Sequence, residues 1–225
     1  MTTYTELELR IKRRLGRRGM TITSEFLDEM ISAQELLEKM GALPKWMKTT
    51  TADITTVAGL TILTTLPPAD FIRVYDDQAL EFLTSDGKYK RAIRLDTRNQ
   101  LVSKRNAFAA LPNLDTVEEE IWWYLDTDAG AKQIEITPTQ TRDVDFHLTY
   151  YAAETVLTGA NTNQWCTFEP DLISGIAGME LATWLRDDRA LKKFQSQAQT
   201  ARRILVNQIE SDEFGDVDLV MGGPD

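Results

Sequence analysis

The spacing of apolar residues changes twice along the chain, and this change limits the folds that the sequence can adopt. Apolar side chains recur at intervals of three and four residues near both ends, whereas short segments rich in Thr, Val, Ile and Leu occupy the middle. The first pattern is typical of amphipathic helices, and the second is typical of strands. Because a helix with a single apolar stripe must bury it against another element, we expect the helices of the two ends to pack together.

The sequence therefore predicts an α+β fold with three parts. Residues 1–48 and 168–212 form an antiparallel helical bundle, and residues 49–167 form a β-rich, mainly antiparallel domain that is inserted between them. Residues 213–225 lose the helical periodicity and contain a Gly-Gly-Pro sequence, so they are interpreted as an extended C-terminal tail.

Four helices are predicted in the bundle. The first begins at Thr3, which has capping-box spacing with Glu6. The second ends at Gly41, the third begins at Pro170, and the fourth ends near Ser211. The buried stripes of the first two helices are Tyr4, Leu7, Ile11 and Leu15, and Phe26, Met30, Ala33, Leu37 and Met40. Those of the last two helices are Ile173, Ile176, Ala177, Leu181, Trp184 and Leu185, and Leu191, Phe194, Ala198, Ala201 and Leu205.

Eight strands and one short helix are predicted in the middle of the chain. Turn signals such as two adjacent prolines and an Asp-Gly pair separate the strands. The strands span residues 51–57, 60–66, 71–75, 79–84, 88–95, 120–126, 132–137 and 144–154, and the helix spans residues 103–111. The last strand alternates clearly, with Val144, Phe146 and Leu148 on one face, which predicts a strand that is buried on one side.

Charge is unevenly distributed along the chain. The formal net charge is −10, but the first 19 residues carry six basic side chains against two acidic ones, so the remaining residues sum to −14. Affinity for nucleic acid comes mainly from basic side chains that displace counterions from phosphates, so the acidic body argues against bulk DNA binding. Such a surface suits a channel through which DNA slides without adhering.

A basic face is predicted on the first helix, where Arg10, Arg13, Arg14 and Arg17 lie away from the apolar stripe. Three interpretations are open: contact with DNA phosphates, pairing with acidic patches on a neighbouring subunit, and a solvated helix face. Because no aromatic residues interleave with these arginines and no recognition helix is evident, sequence-specific DNA binding is not expected.

Residues suited to catalysis or metal binding are few. His147 is the only histidine and Cys166 the only cysteine, so the sequence offers neither a multi-histidine metal site nor an internal disulfide. Three pairs of aspartates are spaced by two residues, namely Asp126/Asp128, Asp143/Asp145 and Asp216/Asp218. They lack the further ligands of an EF-hand, and the glycine loops of nucleotide-binding proteins are also missing. We therefore expect no enzymatic activity, no cofactor and no metal.

Signals for secretion and for membrane insertion are missing from the sequence. The N-terminus has no basic start followed by an apolar core, and no segment approaches the roughly 20 apolar residues that span a bilayer. A fold with a single cysteine is compatible with a reducing cytosol. No membrane partner is therefore expected.

Two apolar features are candidates for contacts with other proteins. Trp122 and Trp123 are adjacent in a predicted strand, so their side chains point to opposite faces and one of them is expected to be exposed. An exposed ring is a candidate interface anchor, and packing beneath residues 103–116 is the alternative. The second feature is the apolar part of the C-terminal tail, which we call the docking tail. Its residues are Phe214, Val217, Leu219, Val220 and Met221.

The order of five segments resembles the head-to-tail adaptor proteins of tailed bacteriophages. The segments are YTELELRIKRRLG, SEFLDEMISAQELLEKMG, LTTLPPADFIRVYDD, KQIEITPTQTRDVDFHLTYYAAE and EPDLISGIAGMELATWL. The resemblance covers most of the chain and implies a helical terminal domain combined with a β-rich insertion. The chain departs from the family in a long insertion between residues 98 and 120 and in its short, acidic C-terminal segment.

The resemblance implies a structural virion protein in the neck between capsid and tail, made in the cytoplasm of the host bacterium. Adaptors of this kind form a ring of about twelve copies beneath the portal, line the channel for DNA ejection, and connect the portal to a downstream tail or neck protein. The docking tail then binds the portal, and packaged DNA makes only transient, non-specific contacts with the ring.

Other functions are compatible with the same residues. A head-completion or tail-terminator protein differs from an adaptor only in its position in the particle. A DNA-binding accessory protein would use the basic first helix, and an ordinary bacterial binding module is a third alternative. Salt-sensitive binding to duplex DNA distinguishes the accessory protein from the adaptor.

Overall fold

The computed structural model describes residues 3–16, 24–51, 53–56, 58–63, 68–109, 120–126, 132–140, 142–158 and 161–214. In this part of the chain it is an α+β protein with six α-helices and nine strands. Two compact units are present, Met1–Met47 with Ala153–Asp225 and Lys48–Ala152, which we call the helical unit and the β-rich unit. None of the described helices is long and apolar enough to cross a membrane.

The helices are α1 (Tyr4–Arg14), α2 (Ser24–Glu38), α3 (Arg98–Ala109), α4 (Gln164–Phe168), α5 (Pro170–Trp184) and α6 (Asp188–Phe214), with a 3-10 turn at Lys45–Met47. The strands are β1 (Lys48–Thr50), β2 (Ile54–Thr56), β3 (Phe71–Val74), β4 (Leu80–Leu83), β5 (Tyr89–Arg91), β6 (Ile93–Arg94), β7 (Trp122–Asp126), β8 (Gln133–Thr137) and β9 (Val144–Ala152). All strands and α3 lie in the β-rich unit, and the other helices lie in the helical unit.

Helix α5 is the centre of the helical unit. It contacts α1, α2, α4 and α6, because most of its surface is made of small and apolar residues that are buried. Two glycines let α6 approach closely. A Cβ atom at Gly175 would lie 3.0 Å from Ala198, and one at Gly178 would lie 2.5 Å from the fully buried ring of Phe194.

The chain enters the helical unit again at Ala153, earlier than predicted. Gln34 of α2 accounts for this difference, because its Nε2 atom donates to the carbonyl oxygen of Glu154 at 3.0 Å. The Nδ2 atom of Asn163 in turn donates to Gln34 Oε1 at 2.9 Å. Hydrogen bonds to α2 thus hold the residues on both sides of this connection, and residues 153–167 belong to the helical unit rather than to the predicted insertion.

Helix α4 is a short element that the sequence analysis does not predict, since five residues are too few to show a helical period. The Oδ1 atom of Asn163 caps it by accepting a hydrogen bond from the backbone nitrogen of Cys166 at 3.1 Å. Trp165 is fully buried and packs edge-on against Trp46, with ring centroids 4.8 Å apart. The helix therefore anchors the returning chain in the core of the helical unit.

Strand β9 organises the larger sheet of the β-rich unit. The strand order is β1-β9-β4-β5, and β2 and β3 also pair with β9, always in the antiparallel direction. Val144, Phe146 and Leu148 are buried, whereas Asp145 and His147 between them are half-buried. The alternation predicted for this strand is confirmed at these positions.

The smaller sheet has the order β6-β7-β8, with a parallel β6–β7 pair and an antiparallel β7–β8 pair. Side chains from both sheets form one apolar core, which includes Phe82 and Phe146 from the larger sheet and Trp123 and Ile136 from the smaller one. The sheets are thus mainly antiparallel, as predicted.

Several predicted element boundaries are wrong. Helix α3 begins five residues before the predicted position at residue 103. Within the described part of the predicted strand 60–66, only Ile62 makes a bridge, to Glu135. Helix α6 continues to Phe214, so Glu213 and Phe214 are helical rather than part of an extended tail. No helix-breaking residue occurs between Ser211 and Gly215, which explains the extra turn.

The prediction that Trp184 belongs to a buried stripe is wrong. Trp184 is the last residue of α5, and 61% of its surface is exposed. Helical spacing places it on the inner face, but the helix ends before a neighbouring element covers the side chain.

Candidate assembly surfaces

Helix α1 has a capped first turn and one buried apolar side, which leaves its other side facing outward. A capping box begins the helix, with the Glu6 backbone nitrogen donating to Thr3 Oγ1 at 3.2 Å and the Thr3 backbone nitrogen donating to Glu6 Oε2 at 2.9 Å. Its buried side is formed by Tyr4, Leu7, Ile11 and Leu15.

Three of the four arginines predicted on this face lie among the described residues. Arg10, Arg13 and Arg14 are exposed, and none of them is ion-paired with another residue in the described part of the chain. Lys12 differs, because its Nζ atom lies 2.5 Å from Glu8 Oε1 one turn earlier. Arg17 lies outside the described residues.

A polar groove of about 550 Å³ separates the end of α1 from α6. Arg14 lies on one wall, and Lys193, Ser196 and Thr200 of α6 lie on the other. At its edge, Gln197 Nε2 donates to the carbonyl oxygen of Asp171 at 2.7 Å, which joins α6 to the start of α5. Arg14, Lys193 and the hydroxyl groups could bind an anionic group, although the carboxylate of Asp171 also lines the groove.

A second groove is apolar and has a volume of about 280 Å³. We call it the Leu36 groove, since Leu36 of α2 stands at its edge with 57% of its surface exposed. The lining residues from the three helices α2, α5 and α6 are Leu36, Leu172, Ile176, Met179, Gln195, Ala198, Gln199 and Arg202. Large apolar side chains exposed beside a groove are typical of protein interaction sites.

A third groove of about 620 Å³ lies along the last turns of α6. Trp46 and Phe168 form its apolar wall, and Ile204 of α6 faces them. Phe168 is 55% exposed and Ile204 is 49% exposed. Burial, together with the nearby charge of Asp171, raises the pKa of Glu169 in this groove.

The first residue of the docking tail lies in α6. Phe214 is the last residue of α6. Val217, Leu219, Val220 and Met221 lie outside the described residues.

The prediction that one of two adjacent tryptophans is exposed is wrong. Trp123 is fully buried in the core, and Trp122 on the other face of β7 is only 7% exposed. Helix α3 covers Trp122, with the Phe108 ring centroid 5.2 Å away and Lys104 Nζ 4.6 Å from the ring. The alternative interpretation, packing beneath the segment that begins at residue 103, describes Trp122 correctly.

The only histidine and the only cysteine have surroundings that do not suit nucleophilic catalysis. His147 Nε2 lies 2.5 Å from Asp53 Oδ1, and the ring stacks on Tyr89 at 4.3 Å on the surface of the β-rich unit. Cys166 is fully buried, and burial raises the pKa of its thiol. A reactive cysteine needs a lowered pKa, so Cys166 has the character of a packing residue.

The acidic pair Asp143/Asp145 has local structural partners. Asp143 Oδ1 accepts a hydrogen bond from the backbone nitrogen of Ala58 at 2.9 Å, and Asp145 Oδ1 accepts one from Thr55 Oγ1 at 2.5 Å. Among the described residues, no three His, Cys, Asp or Glu side chains are grouped as metal ligands. Asp128, Asp216 and Asp218 of the other two pairs lie outside those residues.

Exposed apolar side chains beside grooves and an exposed basic helix face are the distinctive surface features of the described residues. The family model described as SU10 adaptor protein matches residues 2–219, which is nearly the whole chain. The chain belongs to this family of phage head-to-tail adaptors, and the resemblance noted in the sequence is confirmed. No curated protein matches the sequence.

The apolar grooves are the features that sequence reasoning missed. Leu36 and Ile204 each lie next to a residue of the buried stripe, Leu37 and Leu205, and were therefore not recognised as separate surface features. A helical wheel would place both of them outside their stripes. That signal reveals an exposed apolar residue, but the neighbouring helices that complete each groove appear only in the folded chain.

Proposed function

We propose that this protein is a structural head-to-tail adaptor that forms a ring beneath the portal and connects it to a downstream tail or neck protein. The family match over residues 2–219 carries this proposal. In the assembled particle the protein would lie in the neck of the virion. It would act by assembly alone, without catalysis and without a cofactor.

Self-assembly is supported by the surfaces that the helical unit leaves exposed. Phe168, Ile204 and Leu36 are large apolar residues beside grooves, and Arg13 and Arg14 lack ion-pair partners among the described residues. In a symmetric ring the same contact is repeated between every pair of neighbouring subunits. A modest contact per subunit therefore gives a strong total association. A ring of about twelve copies would match a twelvefold portal.

The helical unit supplies the scaffold of the proposed ring. In this proposal the long helices α1, α2, α5 and α6 form an antiparallel bundle, and the β-rich unit is an inserted domain. The contacts of α5 with the other three helices support the bundle, since they allow all four apolar stripes to share one core.

The net charge supports a channel that transmits DNA. With a formal charge of −10, most of the chain repels phosphates, and only the first helix carries a local excess of arginines. Packaged DNA would then make transient, non-specific contacts during ejection instead of adhering to the wall.

The docking tail is proposed to bind the portal. Four apolar residues follow α6 within the last eleven positions, namely Val217, Leu219, Val220 and Met221. Fully extended, such a segment reaches about 35 Å beyond the helix, enough to lie along the surface of a larger protein. Apolar residues in a segment outside the helical stripes are best explained by a partner that buries them.

Deletion of residues 215–225 is expected to abolish binding to the portal while leaving the subunit folded. The deletion begins after α6, so every described element and its buried stripe are retained. Co-sedimentation with purified portal measures the binding, and circular dichroism measures the fold.

Two matched variants distinguish the loss of the apolar side chains from the loss of the segment itself. Serine at Val217, Leu219, Val220 and Met221 should reproduce the deletion, whereas asparagine at Asp216 and Asp218 should not. Undiminished portal binding by the truncated chain would refute docking through this segment.

A further inference from the structure

Helix α6 presents two separate flanks in the helical unit. Lys193, Gln197, Thr200 and Ile204 form one row along the helix, and Gln195, Gln199 and Arg202 form another. The two rows are offset by about two residues, or about 200° around the helix, so they face opposite ways. The first row borders the groove that contains Arg14, and the second borders the Leu36 groove. Helices α1 and α2 therefore flank α6 on opposite sides.

The outward surface of α1, which we call the α1 flank, carries an apolar side chain beside two arginines. Leu9 is 41% exposed, although it belongs to a helix whose other side is buried in the core. Arg13 lies one turn after Leu9 on the same side of the helix, and Arg10 adjoins it. The outward surface of α1 is thus a leucine beside two exposed guanidinium groups that have no ion-pair partner in the part of the chain that the structure describes.

The surface around the Leu36 groove, which we call the α2 flank, carries complementary features, namely an apolar groove and acidic residues beside it. The Leu36 groove has an apolar floor formed by Leu172, Ile176 and Met179, and it is open to solvent. An acidic margin adjoins the groove. Glu180 follows Met179 on α5, and Glu29 lies two turns before Leu36 on the same side of α2.

The negative charges of Glu29 and Glu180 repel each other. Burial raises the pKa of Glu29, and the charges of Glu180 and Asp28 raise it further. Like charges held together in this way are stabilised by an external cation. Arg202 borders the opposite, α6 side of the groove, so one cation of the same subunit is present there.

We propose that α1 of one copy docks in the Leu36 groove of the next copy, with Leu9 inserted between Leu36 and Met179 and with Arg13 facing Glu180 and Glu29. This inference rests on the proposed ring and specifies how its subunits meet. Charge complementarity selects a second copy as the occupant, because the basic surface and the acidic margin belong to the same chain. The two surfaces are different, so each subunit gives one and receives the other. Such head-to-tail contacts close into a ring when the rotation between neighbours divides a full turn, as assembly on a symmetric portal would impose.

Charge exchange tests this contact in the full chain with portal present. Arg13→Glu alone and Glu180→Arg alone should each raise the chain concentration needed for ring assembly by at least about tenfold. The two changes in one chain should restore assembly to within about threefold, since the pair is then reversed but complete. Mass photometry measures how many chains are bound to each portal at a series of chain concentrations.

Two exposed residues of α6 that border none of the three grooves provide matched controls. Arg203→Glu and Glu210→Arg reverse the same charges and should leave assembly unchanged. Circular dichroism identifies any loss of fold in the Arg13 variant, because an acidic residue in the last turn of a helix costs about 0.3–1 kcal/mol.

Disulfide trapping tests the geometry without altering charge. A chain with both Leu9→Cys and Leu36→Cys should form a ladder of covalent oligomers on oxidation in the ring, since each contact can form one bond. Either change alone should give no ladder, and the native Cys166 is fully buried.

The possible outcomes distinguish this inference from the proposed function. Rings of the unchanged chain on the portal, without charge rescue and without a ladder, would overturn the α1 contact and leave the adaptor function intact. Failure of the unchanged chain to assemble on the portal under any condition would instead contradict the adaptor function. Covalent dimers from Leu9→Cys alone would indicate a symmetric α1–α1 contact and would also overturn the inference.

Discussion

Replacing Trp123 with alanine is expected to lower the free energy of unfolding of the β-rich unit by about 3–5 kcal/mol. Trp123 is fully buried in the core shared by the two sheets, where Phe82 and Phe146 are also buried. Its indole nitrogen has no hydrogen-bond acceptor among the described residues. The loss is therefore mainly one of packing, because a large cavity is created and no hydrogen bond is broken. The contact between the ring and the Arg94 guanidinium, 5.7 Å from the ring centroid, is lost as well.

Trp184 is the matched control for this substitution. Its side chain is 61% exposed at the end of α5, so Trp184→Ala should change the free energy of unfolding by no more than about 0.5 kcal/mol. Urea unfolding followed by circular dichroism compares the two variants without relying on tryptophan fluorescence. Similar effects of both substitutions would contradict the burial of Trp123.

Gly178→Val is expected to destabilise the helical unit by about 3 kcal/mol. A Cβ atom at this position would lie 2.5 Å from two ring atoms of Phe194, well inside normal contact distance. The ring cannot move aside easily, since Phe194 is fully buried between α5 and α6. The two helices must separate, and every contact along their interface weakens.

Gly41→Val provides the comparison for that variant. Nothing lies within 4 Å of a Cβ atom at Gly41, so the same substitution should change stability little. Thermal unfolding of the two proteins measures the difference. A Gly178→Val protein as stable as the Gly41→Val protein would show that α5 and α6 are not packed as closely as described.

Periodicity predicted the elements whose burial depends on one neighbouring layer. The stripe of α1, with Leu7 and Ile11, and the alternation of β9, with Phe146 and Leu148, are both buried as predicted. In each case a single apolar face meets a single core, so local spacing carries enough information. The capping box of Thr3 is equally local and equally visible in the sequence.

Features that depend on distant parts of the chain were not predictable in the same way. Trp122 is buried because α3 supplies Phe108 on the outer face of β7, and strand alternation alone cannot indicate such a cover. The connection after β9 belongs to the helical unit because Asn163 donates to Gln34, a partner more than a hundred residues away. Both misplaced features thus result from tertiary contacts.

The candidate surfaces also differ in whether the sequence could predict them. The exposed arginines of α1 were predicted, since a face opposite an apolar stripe is defined by one helix. The Leu36 groove was not predicted, because α2, α5 and α6 each contribute part of its lining. Only the folded helical unit brings Leu36 and Met179 to the same opening.

Electron microscopy of the purified chain mixed with its portal tests the central claim most directly. That claim is that apolar and basic surfaces left exposed on each subunit are covered by its neighbours in a symmetric assembly. We predict a closed ring of chains coaxial with the portal, with α1 of each copy against the α2 flank of the next. A portal that remains bare beside monomeric chains would contradict it.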